Sequence, residues 1–82
     1  MKIKKEEFRS STYYLAVTLL ALGEELLFIE KEENSQRATF VFKNSSALER
    51  NVENFVKGKI LVEPQALFAQ HKNLKGRLYN NY

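Results

Sequence analysis

Between residues 13 and 22 the chain reads YYLAVTLLAL, with Thr18 the one break in an otherwise apolar run. At about 100° per residue, Tyr13, Val17, Leu20, Ala16, Leu19, Leu15 and Leu22 cover well over half a helical circumference. Tyr14, Thr18 and Ala21 make a milder stripe. The pattern predicts a helix over residues 12–22, with the hydroxyl of Ser10 or Ser11 as N-cap and Gly23 at the left-handed C-cap position. A helix apolar nearly all round is buried on more than one side. In so short a chain the second side is supplied either by another subunit or by the chain's own remaining helices.

The next stretch, EELLFIEKEENSQRATFVFK, predicts a β-hairpin. Two runs, 26–31 and 37–43, are rich in β-branched and aromatic residues, and ENSQ between them is turn material. With Asn34-Ser35 as the turn, Ile29 faces Phe40, Leu27 faces Phe42 and Glu32 pairs with Arg37. Leu26, Phe28, Val41 and Thr39 take the opposite side, so both faces of the sheet want cover.

In SSALERNVENFVKGK, Ser46-x-x-Glu49 fits a capping box, and Leu48, Val52, Phe55 and Val56 recur as one apolar stripe that Gly58 closes. Ile60-Leu61-Val62 is a candidate third strand on the hairpin edge. Pro64 opens a last helix, for which Glu63 is held extended. Leu67, Phe68, His71, Leu74 and Leu78 are expected on one face of that helix, with Tyr79 flanking it. Lys72 and Arg77 then fall on the wet face and Lys75 at the boundary. Gly76 inside this helix marks a close backbone contact or the start of fraying. The fold class is therefore α+β: a helix, a β-hairpin with room for a short third strand, then two helices packed on the small antiparallel sheet.

Eighty-two residues make a single domain, 1–82, because a second core would leave each half too small. Residues 1–9 are expected to be a flexible basic N-terminus. The start MKIKKEEFRSST resembles that of a signal peptide, but GEELLFIE follows the apolar run without a small-residue cleavage site, so the run reads as a core helix. It is also far short of the roughly 20 residues of a membrane span, so no membrane partner is expected. There is no cysteine, which removes disulfides, thiolate metal sites and cysteine nucleophiles and fits a cytoplasmic setting. The net charge of +3 is uneven: residues 1–9 carry +2, residues 24–43 carry −2 and residues 64–82 carry +3. A phosphate surface would meet the two ends first.

Four runs together resemble a family of small bacterial, archaeal and phage-borne proteins classed only as a domain of unknown function. They are YYLAVTLLALG, the hairpin ending RATFVFK, SSALERNVENFVKGK, and VEPQALFAQHKNLKGRLY. The family pattern is a tyrosine-led alanine/leucine helix ending in glycine, a hairpin ending in F-V-F, a serine-capped helix, and V-D-P opening a helix with L-K-x-x-L-Y near its end. The resemblance covers nearly all of residues 10–80 and departs at Glu63, where aspartate is common. It implies an α+β architecture and a mobile-element setting, and it implies no activity or catalytic residue.

The residues themselves argue against an enzyme. All ten acids are glutamate, there is one histidine, and no glycine-rich phosphate loop is present. Ser45, His71 and a glutamate could make a triad only by chance, and His71 between Phe68 and Leu74 reads either as a buried, hydrogen-bonded histidine or as one at the core margin. Glu30, Glu32, Glu33 and Asn34 crowd the hairpin tip without the spacing or glycine of a calcium loop. No cofactor, metal or small-molecule substrate is expected. The tail KNLKGRLYNNY instead combines cations with aromatic rings, the pairing that single-strand binders use. The candidate nucleic-acid-binding residues are Lys72, Lys75, Arg77, Tyr79 and Tyr82, joined by Lys4, Lys5 and Arg9 if the termini lie together. The expectation is a small non-enzymatic domain, homodimeric through its first helix, that binds DNA or RNA non-specifically. The alternative is a self-associating protein-interaction module with no nucleic-acid role.

Overall fold

The structure is a computed structural model and describes residues 6–31 and 37–80. It is α+β, as predicted. Strand β1 (Glu7–Ser10) is followed by helix α1 (Tyr13–Ala21) and the hairpin strands β2 (Leu26–Lys31) and β3 (Ala38–Lys43). Helices α2 (Ser46–Lys57) and α3 (Pro64–Asn80) complete the chain. The sheet is antiparallel with order β1-β3-β2.

The third strand is β1, not residues 60–62, which take no strand conformation. β1 pairs Phe8 with Phe42 and Arg9 with Val41, and so occupies the β3 edge of the hairpin. Residues 7–9 are therefore ordered in the sheet rather than part of a flexible N-terminus. The alternation of a strand explains this: Phe8 packs on the core while Glu7 and Arg9 point to the outer face. The Asn34-Ser35 turn and the Glu32–Arg37 pair lie outside the described residues.

The hairpin register is as expected at Ile29–Phe40, but Leu26, not Leu27, faces Phe42. A bulge between Leu26 and Phe28 makes Leu27 an extra residue. One extra residue exchanges the faces. Leu26 thereby joins Ile29, Phe40 and Phe42 on the inner side, and Leu27 is left exposed. On the outer face Val41 is fully buried between its neighbours Arg9 and Phe28, and the Arg9 guanidinium stands 5.9 Å from the centre of the Phe28 ring.

Helix α1 fills the centre of the molecule. Five consecutive residues, Leu15 to Leu19, are buried, while Tyr14 of the first turn is 69% exposed. The cover comes from the same chain: Leu15, Ala16, Val17 and Leu19 form one cluster with Phe40 and Phe42 of β3, Leu48 of α2 and Leu74 of α3. The buried side chains of α1 are thus covered within the chain and do not themselves require a second subunit. Buried Thr18 is satisfied by donating its hydroxyl proton to the Tyr14 carbonyl at 2.8 Å. The N-cap is Thr12, not Ser10 or Ser11, and its side chain makes no capping bond; Ser10 Oγ accepts from the Thr12 N–H instead. At the far end Gly23 takes φ +95°, which lets its own N–H reach the Leu20 carbonyl and that of Glu24 reach Leu19.

Helix α2 is capped by Ser45, one residue before the expected Ser46; Ser45 Oγ accepts from the Leu48 N–H at 3.0 Å. Glu49 closes no capping box, since its carboxylate accepts from the Asn44 side-chain amide. Leu48, Val52 and Phe55 face the core, whereas Val56 is 77% exposed. Helix α3 begins at Pro64, and Glu63 Oε1 accepts from the Ala66 N–H at 2.8 Å, so glutamate caps here as an aspartate would. No helix among the described residues is long and apolar enough to cross a membrane.

Candidate nucleic-acid interface

The 17 residues of α3, PQALFAQHKNLKGRLYN, contain Lys72, Lys75 and Arg77 and no carboxylate. Among the described residues none of these three cations is held in an ion pair. Their positions around the helix follow from which residues are inside. Leu74 is fully buried and Leu67 and Leu78 pack against the core, which fixes the inward direction.

His71 lies at the margin of that inward face, half-buried, where the sequence reading put it. Its Nδ1 is 2.9 Å from the hydroxyl of Tyr13, which also donates to the His71 carbonyl at 3.2 Å. The Tyr13 ring meets the rings of His71, Tyr14 and Phe40 edge-on. Burial, and then the neighbouring Tyr14 and Tyr79, raise the Tyr13 phenol above its ordinary pKa. Tyr13 thus enters the interface as a neutral hydrogen-bonded wall.

On the solvent side, Phe68, Lys72, Lys75 and Tyr79 follow one another at i, i+4, i+7 and i+11, a single exposed edge. Phe68 is 66% exposed and does not belong to the core face, because it stands about 100° round from Leu67. Arg77 is separated from the two lysines. It lies about 140° round from Lys72 and lines a hollow with Leu20, Gln70, Asn73 and Leu74. The expected trio of cations is therefore two and one, on different sides of α3.

Two adjoining grooves meet at Tyr79, whose side chain is 77% exposed. The larger, about 530 Å³, is bordered by Ser11, Tyr13, Lys31, Arg37 and Tyr79. The smaller, about 280 Å³, is bordered by Tyr13, His71, Lys75 and Tyr79. Tyr79 is thus a ring with Lys75 on one side and the hairpin cations Lys31 and Arg37 on the other. Sequence reasoning missed these two, because their place beneath α3 depends on long-range packing. It could have found Phe68, since the i, i+4, i+7, i+11 spacing was there to be read.

Gly76 lies beside this edge and is half-buried, one turn from Lys72 and from Tyr79. Helix α3 continues past it to Asn80, and a Cβ at this position would meet nothing within 4 Å. Neither a close backbone contact nor fraying accounts for a residue that disfavours a helix interior by about 1 kcal/mol relative to alanine.

The N-terminal contribution differs from expectation. Arg9 projects from the outer face of the sheet, where Glu30 at 2.7 Å and Glu7 at 3.0 Å hold its guanidinium. The hydrogen bond to Glu30 leads the effects that raise its pKa further. Two carboxylates on one cation make Arg9 a poor phosphate contact, and it does not join the α3 edge. Lys4, Lys5 and Tyr82 lie outside the described residues.

The model of a family described as Domain of unknown function (DUF5659) matches residues 5–80, and the chain belongs to that family. No curated protein matches the chain significantly. No solved structure does so either.

Proposed function

We propose that this DUF5659 domain binds nucleic acid non-specifically and without catalysis, and that the exposed edge of α3 is the binding surface. The observation that carries the reading is the placement of Tyr79: an exposed ring on an acid-free helix, between Lys75 on one side and Lys31 and Arg37 on the other. Cations supply phosphate affinity, and an exposed ring offers a stacking platform that tolerates any base. A non-catalytic role is supported by the engagement of the two residues a triad would need. Ser45 is committed as the cap of α2, and His71 Nδ1 to Tyr13. Phage or other mobile elements and the cytoplasm are the setting that this reading favours.

The test is fluorescence anisotropy with a labelled single strand and its duplex at low salt. The expected affinity is micromolar or weaker, as for other non-specific contacts. Tyr79→Ala is expected to weaken the single strand more than the duplex. An unchanged preference in that variant would remove Tyr79 from the surface.

A second reading, self-association, is favoured by a different observation. Val56 near the end of α2 and Leu61 in the α2–α3 connection are 77% and 90% exposed. Light scattering after size exclusion tests it: a homodimer gives about twice the 9.6 kDa chain mass, and Leu61→Lys returns it to one. A monomer at millimolar concentration contradicts self-association.

A further inference from the structure

The structure carries a bare place beside the exposed edge of α3, near its Tyr79 end. Gly76 lies one turn from Lys72 on one side and one turn from Tyr79 on the other, and among the described residues no atom comes within 4 Å of where its side chain would begin. Glycine in a helix interior is unfavourable, and it is retained where another backbone or a ligand must come close. Among the described residues nothing comes close. The aromatic residues Phe68 and Tyr79 mark the two ends of the same edge, both mostly exposed, with Lys72 and Lys75 between them.

We infer that a single strand of nucleic acid lies lengthwise along α3, its backbone seated over Gly76 and its bases stacked on Tyr79 at one end and Phe68 at the other. This rests on the nucleic-acid reading above and adds to it the path of the strand, its polymer form and two residues, Phe68 and Gly76. The dimensions agree. Eleven residues of helix separate the two rings by about 16 Å, which is about five nucleotides at the roughly 3.4 Å rise of a stacked strand. The lysines fall where the intervening phosphates pass. A duplex keeps its base faces paired and stacked internally, so it could use the lysines and not the rings. An acidic polypeptide would be attracted to the lysines and would have no use for two flat rings.

The experiment uses oligothymidylates of two to ten residues, with the intact chain and two variants, Gly76→Ala and Phe68→Ala. For the parent, affinity is expected to climb steeply up to about five nucleotides and only slowly beyond. Gly76→Ala is expected to raise the melting temperature, because alanine favours the helix, and to weaken binding of the ten-mer about fivefold or more. Phe68→Ala is expected to leave the melting temperature nearly unchanged and to flatten the length dependence. A Gly76→Ala protein that is more stable and binds as the parent does overturns the seating over Gly76. Full binding by Phe68→Ala at every length overturns the path along α3. Displacement of the ten-mer by polyglutamate as effectively as by unlabelled oligothymidylate also overturns it, since charge alone would then suffice. Failure of the parent to bind any oligonucleotide overturns the wider reading itself, and so is distinct from the other results.

Discussion

The hydroxyl oxygen of Tyr13 lies 2.9 Å from Nδ1 of His71 and 3.2 Å from the carbonyl oxygen of the same residue. A phenol has one proton. If it goes to the carbonyl, Nδ1–H donates to the phenol oxygen, and both contacts are satisfied at once. The pair ties the first turn of α1 to the middle of α3 across the edge of the core. Tyr13→Phe keeps the ring packing and is expected to lose about 1 kcal/mol, and His71→Ala about 1–3 kcal/mol. Urea unfolding measures both. Parent stability in the two variants would show that the pair holds nothing together.

The same phenol makes stability depend on alkaline pH. Burial, followed by the effects of Tyr14 and Tyr79, raises the folded pKa of Tyr13 above its ordinary 10.0. Above that value the unfolded chain gives up this proton first, so it binds fewer protons than the native state and stability falls as pH rises. The Tyr13 contribution is complete below pH 10 and is lost as pH passes through the raised folded value. Thermal melts between pH 8 and 11 should show a decline that is shallower in Tyr13→Phe. Equal slopes for parent and variant would contradict the shift.

Two adjacent serines begin α2, and the structure gives the cap to Ser45. Ser45→Ala is expected to cost about 1 kcal/mol, the usual loss when an N-cap acceptor is removed. Ser46→Ala, already inside the first turn, is expected to change stability by a few tenths of a kcal/mol or less. The reverse ranking in chemical denaturation would move the cap.

Arg9 provides a negative control for the binding surface. Glu7 and Glu30 hold its guanidinium over Phe28, and it projects from the outer face of the sheet. Arg9→Gln is therefore expected to bind an oligonucleotide as the parent does at every salt concentration. A weakened affinity with an intact circular-dichroism spectrum would extend the interface to the outer face.

Much of this fold can be read directly from the chain, and the exceptions have physical reasons. Gly23 and Gly58 end their helices as the pattern requires, because both take the positive φ that glycine tolerates. The pairing of Ile29 with Phe40 follows from two-residue periodicity near the turn. It fails two residues on at Phe42, because a bulge at Leu27 leaves no mark in a run that is apolar on both sides. Strand β1 escaped notice since EFRS has one apolar residue and gains its place from pairing with β3. At the interface, the sequence named Lys72, Lys75 and Tyr79 as candidates on α3 but placed Lys75 at the boundary and Tyr79 beside the inward face, whereas all three lie on one exposed edge. It grouped Arg77 with them because exposure alone does not distinguish two wet sides of one helix. Lys31 and Arg37 come to line a groove with Tyr79 only through tertiary packing.

The surface itself is tested most directly by the salt dependence of single-strand binding. Each phosphate neutralised on a single strand contributes about 0.7 to the log–log slope. Lys72 and Lys75 share the edge that carries Tyr79, and Arg77 does not. Replacing both lysines by glutamine is expected to flatten the slope by about 1.4, and Arg77→Gln to leave it unchanged. A double variant with the parent's slope, or an Arg77→Gln variant that alone flattens it, would contradict binding along this edge of α3.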